Sequence, residues 1–104
     1  MRHMLWFLLA GTRGGETRSH ILNALQQTPE NAHQLAKRLD LDYKTIQHHL
    51  RMLEKHKIVH VVNKGGYGAL YFLSPETEAF AKAEGRIWEQ FGKKPLKENK
   101  SKGA

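Results

Sequence analysis

Between residues 43 and 55 the apolar positions Ile46, Leu50 and Leu53 recur at i, i+4 and i+7, a spacing that predicts a helix from Tyr43 to Lys55 with one buried stripe. The opposite face then carries Lys44, Gln47, His48 and Arg51, side chains rich in hydrogen-bond donors. A shorter apolar set, Leu35, Ala36 and Leu39, lies upstream. It follows Asn31, whose side chain can accept from a free backbone N–H, and Gln34 stands three residues on to complete a capping box. Asp40, Leu41 and Asp42 make a tight turn between the two helices, with Leu41 directed inward and Asp42 placed to cap the second helix at its positive end. Two short helices across such a turn have the shape of a DNA-reading element. A helix about 10–12 Å across fits a major groove about 12 Å wide, where Arg, Lys and Gln pair with base edges and phosphates.

After Lys57 the pattern changes. Residues 58–64 and 69–73 are rich in β-branched and aromatic side chains and flank Gly65, Gly66, Tyr67 and Gly68, which predicts a hairpin whose turn uses positive φ angles. Helix, turn, helix, hairpin is the order of a winged helix. At this point the chain resembles the winged helix-turn-helix transcription regulators of the arsenical-resistance-repressor-like (ArsR-like) class, especially their small archaeal members. The likeness is carried by residues 11–15 (GTRGG), 31–36 (NAHQLA), 41–46 (LDYKTI), 48–50 (HHL) and 67–73 (YGALYFL), and it spans about residues 11–92. Two positions often held by glycine in that class are Asp40 and Lys57 here. Aspartate tolerates a left-handed backbone better than lysine does.

A helix from about Glu16 to Gln27 buries Ile21, Leu22 and Leu25 as scaffold, and Thr28-Pro29-Glu30 ends it. Ser74 caps a last helix with Pro75 at its first position, expected to run to about Gln90 and to carry Phe80, Ala83, Ile87, Trp88 and Phe91 on adjoining positions. Residues 4–10 (MLWFLLA) are a second unclaimed apolar segment, far below the roughly 18–20 residues needed to span a bilayer. A small domain has difficulty hiding both. The expected solution is a homodimer burying Leu5, Trp6, Leu8, Leu9, Phe80, Ile87, Trp88 and Phe91, and the resemblance likewise implies dimerisation through terminal helices. A dimer also sets two recognition helices the roughly 34–36 Å apart that successive major grooves require.

The 104 residues suffice for one small domain, and 17 Lys plus Arg against 10 Asp plus Glu give a net charge of +7, which favours a polyanionic partner. The charge is uneven: residues 93–104 hold five Lys and one Glu, +4 of the total. Such a segment reads as a basic disordered tail or as an arm that follows phosphates. The organisation expected is therefore an apolar segment over 1–10, a winged helix over 11–92 and a tail over 93–104. With no cysteine in the chain there are no disulfides and no thiolate sites, which fits a cytoplasmic protein.

Seven histidines invite a metal site, but His48 and His49 are adjacent on one helix and point about 100° apart. His56 and His60 straddle a helix-to-strand boundary, and the last helix has no histidine. No metal or other cofactor is expected. Catalysis is not expected either, because Ser19, Ser74 and Ser101 lie in a helix start, a cap and the tail, and Asp40 and Asp42 occupy turn and cap positions. The reading is thus an α+β, mostly helical winged helix-turn-helix with a two-stranded wing hairpin and terminal dimerisation segments. Its expected partner is double-stranded DNA, with no membrane and no inferred effector pocket. Lys44, Gln47, His48 and Arg51 would enter the major groove, Tyr43 and Thr45 would meet the backbone, and Lys64 and Tyr67 in the wing (63–69) would meet phosphate or the minor groove. Two alternatives stay open: a winged helix used as a protein-interaction module, and a sequence-independent DNA-compacting protein driven by the tail.

Overall fold

The computed structural model describes residues 1–64 and 68–92. The chain begins with α1 (Arg2–Trp6), which continues without a break as a π-helical turn, Phe7–Gly11. There follow α2 (Gly15–Gln27), β1 (Glu30–Asn31), α3 (Ala32–Leu39), α4 (Tyr43–Lys55), β2 (Val59–Val62), β3 (Leu70–Leu73), α5 (Pro75–Glu84) and α6 (Trp88–Phe91). The strands form one antiparallel sheet in the order β1-β3-β2. Val59 faces Leu73 and Val62 faces Leu70 in the wing pair, while Glu30 faces Tyr71 across β3. The expected two-stranded wing hairpin is β2 and β3, and a third strand, β1, joins its β3 edge. The added strand is two residues long, and bidentate Arg38–Glu30 pairing ties it to α3, with Arg38 Nε 2.9 and 3.0 Å from the two carboxylate oxygens.

Caps fix the helix starts as the sequence requires. The Asn31 side chain accepts from Gln34 N at 2.8 Å and Gln34 Oε1 accepts from Asn31 N at 2.9 Å, closing the capping box. Asp42 Oδ2 accepts from Thr45 N, and Ser74 Oγ accepts from Thr77 N. The ends of α3 and α4 share one geometry. Leu41 N donates to Ala36 O and Asp40 N to Lys37 O, while Ile58 N donates to Leu53 O and Lys57 N to Glu54 O. Both are Schellman closures whose C′ residue is left-handed, at φ 55° for Asp40 and φ 62° for Lys57. The two departures from glycine thus keep the backbone that glycine would adopt.

Ile46, Leu50 and Leu53 of α4 meet Leu35, Leu41, Ile21, Leu22, Leu25, Ile58, Val59 and Leu73 in one core. Each such buried aliphatic side chain contributes roughly 1.5–3 kcal/mol relative to exposure. The N-terminal segment belongs to this core. Leu5, Leu8 and Leu9 are buried within the single chain, and α2 approaches so closely that a Cβ on Gly15 would stand 2.1 Å from Leu9 O.

The last helix differs from expectation. It stops at Glu84, Gly85 takes φ 98°, and a separate turn, α6, follows. The break redirects Ile87 and Trp88 into the core against α2, where Trp88 is fully buried. Five of the eight side chains assigned to a dimer contact, Leu5, Leu8, Leu9, Ile87 and Trp88, are consequently covered by their own chain. Trp6 and Phe7 are exposed, and Phe80 and Phe91 half-buried, with Trp6 edge-on to Phe91 at 5.3 Å between ring centroids.

Candidate nucleic-acid interface

The polar face of α4 is laid out as the helical spacing demands. Lys44, His48 and Arg51 are exposed and Gln47 is half-buried, on the side opposite Ile46, Leu50 and Leu53. Tyr43 begins the helix with its ring stacked on His33 of α3, at 4.2 Å and 11° between planes. Its phenol oxygen accepts from Gln47 Nε2 at 3.0 Å. Thr45 is drawn into the cap, its Oγ1 donating to Asp42 Oδ2 at 2.9 Å.

Lys64 follows β2, where its ammonium pairs with Glu54 at 2.6 Å near the end of α4. That hydrogen bond, together with the carboxylate charge, raises the lysine above its ordinary value. Tyr71 of β3 is also raised, first by burial and then by Glu54, with the opposing charge of Lys64 partly offsetting the shift. Tyr67 and the basic segment 93–104 lie outside the described residues.

Behind α4 is a group whose charge ordinarily keeps it at the surface. Arg18 is 1% exposed. Its Nε donates to Leu8 O at 2.9 Å, Nη2 donates to Arg13 O at 2.9 Å and to Thr12 Oγ1, and Nη1 lies 3.1 Å from His49 Nδ1. Burial lowers the guanidinium from its usual value. A signal was present, because Arg18 stands three, four and seven residues before Ile21, Leu22 and Leu25, on the buried stripe of α2. His33, Glu54 and Tyr71 are the other residues that sequence reasoning did not place at the interface, and His33 had no distinguishing pattern.

Among the described residues, no group of three or more His, Asp or Glu is arranged to hold a metal ion. No helix among them is long and apolar enough to cross a membrane.

Residues 15–61, from the start of α2 into β2, match the model of a family described as bacterial regulatory protein, arsR family. Among solved structures, the fold is similar to that of the adhesin competence repressor AdcR from Streptococcus pyogenes, with a TM-score of 0.60 at 17% identity over 86% of this chain and 69% of that one. No curated protein matches the sequence.

Proposed function

We propose that this ArsR-like winged helix-turn-helix transcription regulator reads double-stranded DNA sequence-selectively as a homodimer, with α4 in the major groove. The observation that carries this reading is the donor face of α4: Lys44, Gln47, His48 and Arg51 on a doubly capped helix whose other side is locked into the core. Arg and Gln make bidentate contacts with purine edges, and Lys and His add phosphate contacts. Tyr43 and Thr45 would lie along the backbone at the helix start, and the wing with Lys64 and Tyr67 would follow the adjacent phosphates or minor groove. Exposed Trp6 and Phe7, with half-buried Phe80 and Phe91, offer the apolar surface for a twofold partner. The protein would act in the compartment that holds the DNA, the cytoplasm for the archaeal type it resembles.

The test is selection from a randomised duplex pool at about 150 mM salt, comparing the full chain with one ending at Gly92. Recovery of an inverted repeat by both chains is the expected result. Binding that depends on residues 93–104 and enriches no sequence would instead identify a nonspecific DNA-compacting protein. No binding by either chain would identify a protein-interaction module.

A further inference from the structure

The contacts at the start of α4 run between helices in series: His33 of α3 stacks on Tyr43, and Tyr43 Oη holds Gln47 Nε2. The stack is close to parallel, at 4.2 Å and 11°, so the imidazole face holds the whole tyrosine side chain in one χ1 rotamer, and with it the position of the hydroxyl. The fixed phenol oxygen then engages one of the two amide N–H groups of Gln47. What remains on the Gln47 amide is one carbonyl oxygen that accepts and one N–H that donates, side by side. That pair of groups matches adenine in the major groove, whose N6 amino group donates and whose N7 accepts.

We propose that His33 is a positioning residue for base recognition, acting through Tyr43 to hold Gln47 in the orientation that selects adenine. The inference rests on the reading of α4 as the base-contacting helix and deepens it. It assigns to α3, the helix that does not enter the groove, a share in sequence preference. Without the stack, the Tyr43 side chain is free to change its χ1 rotamer, its oxygen leaves Gln47, and the amide samples several rotamers before meeting a base.

Two measurements on the full chain test this. In the free protein, the Gln47 side-chain amide resonances are followed by nitrogen-15 NMR. They are expected to move toward unrestrained glutamine values in Tyr43→Phe and His33→Ala, and to stay near wild type in His33→Phe, which keeps an aromatic face. Unmoved Gln47 resonances in His33→Ala overturn the proposal without touching the DNA-binding reading. On DNA, the affinity for the selected duplex is divided by that for the same duplex with the adenine opposite Gln47 changed to guanine. This ratio is expected to fall about fivefold or more in His33→Ala and to recover in His33→Phe, in line with what one bidentate pair contributes. A ratio unchanged in His33→Ala, or a selected site with no adenine opposite Gln47, also overturns it. A wild-type chain that selects no sequence fails the proposed function itself, a different result from selective binding that is indifferent to His33.

Discussion

Arg18 Nη1 lies 3.1 Å from His49 Nδ1, joining the middle of α4 to a guanidinium whose other donors hold Leu8 O, Arg13 O and Thr12 Oγ1. One buried side chain therefore fastens α4 to the end of the N-terminal helical segment. Arginine has donors and no acceptor, so His49 meets it through the lone pair of Nδ1 and carries its proton on Nε2. The cation is solvated by the carbonyl oxygens of Leu8, in the last turn of the first helical segment, and of Arg13 just beyond it. The position of α4 is thereby coupled to whatever the N-terminal segment packs against.

Replacing Arg18 removes the one donor group shared by Leu8 O, Arg13 O, Thr12 Oγ1 and His49 Nδ1. Arg18→Met is expected to lower unfolding stability in urea by on the order of 3 kcal/mol, the range for breaking a buried, multiply bonded charged group. Arg18→Lys, with three donors on a point charge in place of a planar fork, is expected to recover only part of it. A loss below about 1 kcal/mol in Arg18→Met would mean that the network is not maintained in solution.

The loop before α2 is shaped around the same pair. Gly14 has φ 89°, and a Cβ there would stand 2.8 Å from the His49 ring and 2.9 Å from Arg18 Nη1. Gly14→Ala is expected to combine backbone strain with displacement of the pair, costing roughly 1–3 kcal/mol. The His49 proton resonances should shift with it. A stable Gly14→Ala variant with unchanged His49 signals would contradict the packing.

The helix-turn-helix was legible because each of its parts has a local signature. Asn31, Gln34 and Asp42 announce caps, and the stripe of Ile46, Leu50 and Leu53 fixes which face of α4 is left for solvent. The elements that were not legible depend on distant partners. β1 is too short to carry a period and exists because β3 offers a free edge. The apolar N-terminal segment suggested a second subunit, yet α2 and α6 of the same chain pack on the turn that carries Leu8 and Leu9, and Leu5 is buried in the same core. Gly85 did mark a break, but the apolar spacing from Phe80 to Phe91 hid it, and with it the inward turn of Ile87 and Trp88. At the interface the donor face of α4 followed from periodicity, whereas the His33 stack and the Lys64–Glu54 pair join residues ten apart in sequence, beyond any local pattern.

Lys57 holds a left-handed backbone, φ 62°, at the C′ position of α4. A side chain there costs about 1 kcal/mol that glycine avoids. Lys57→Gly is therefore expected to raise stability by roughly 0.5–1 kcal/mol, less the added entropy of the unfolded glycine. Asp40→Gly should gain less, since aspartate tolerates φ 55° better. A destabilised Lys57→Gly variant would show that the Schellman closure is not the solution geometry.

Lys64 enters the proposed interface already paired with Glu54. Its raised value has a defined sign: the pair's contribution is fully present below the lysine's ordinary 10.5 and is lost as pH rises through the higher folded value. Between pH 7 and 9 the lysine therefore stays protonated, and its availability to phosphate is set by Glu54. Glu54→Gln is expected to strengthen binding to all duplexes similarly, with the salt slope steeper by about one. Lys64→Ala should weaken binding uniformly and remove the effect of the Glu54 change. Equal affinities for wild type and Glu54→Gln would remove Lys64 from the contact set.

The separation of covered from exposed apolar side chains makes the dimer testable without unfolding the chain. Trp6 and Phe7 are 38% and 55% exposed, whereas Leu5 is fully buried against its own domain. A Trp6→Ser, Phe7→Ser double variant is expected to sediment as a monomer at micromolar concentration while keeping a cooperative unfolding transition, at a stability lowered by loss of the Trp6–Phe91 contact. Leu5→Ala should instead cost on the order of 2–5 kcal/mol of stability. Loss of the dimer should also reduce affinity for an inverted repeat far more than for a single half-site, since the second recognition helix no longer binds intramolecularly. A double variant that remains dimeric would place the twofold contact on another face, and a wild-type chain that is monomeric on an enriched inverted repeat would mean that the DNA itself brings the two copies together.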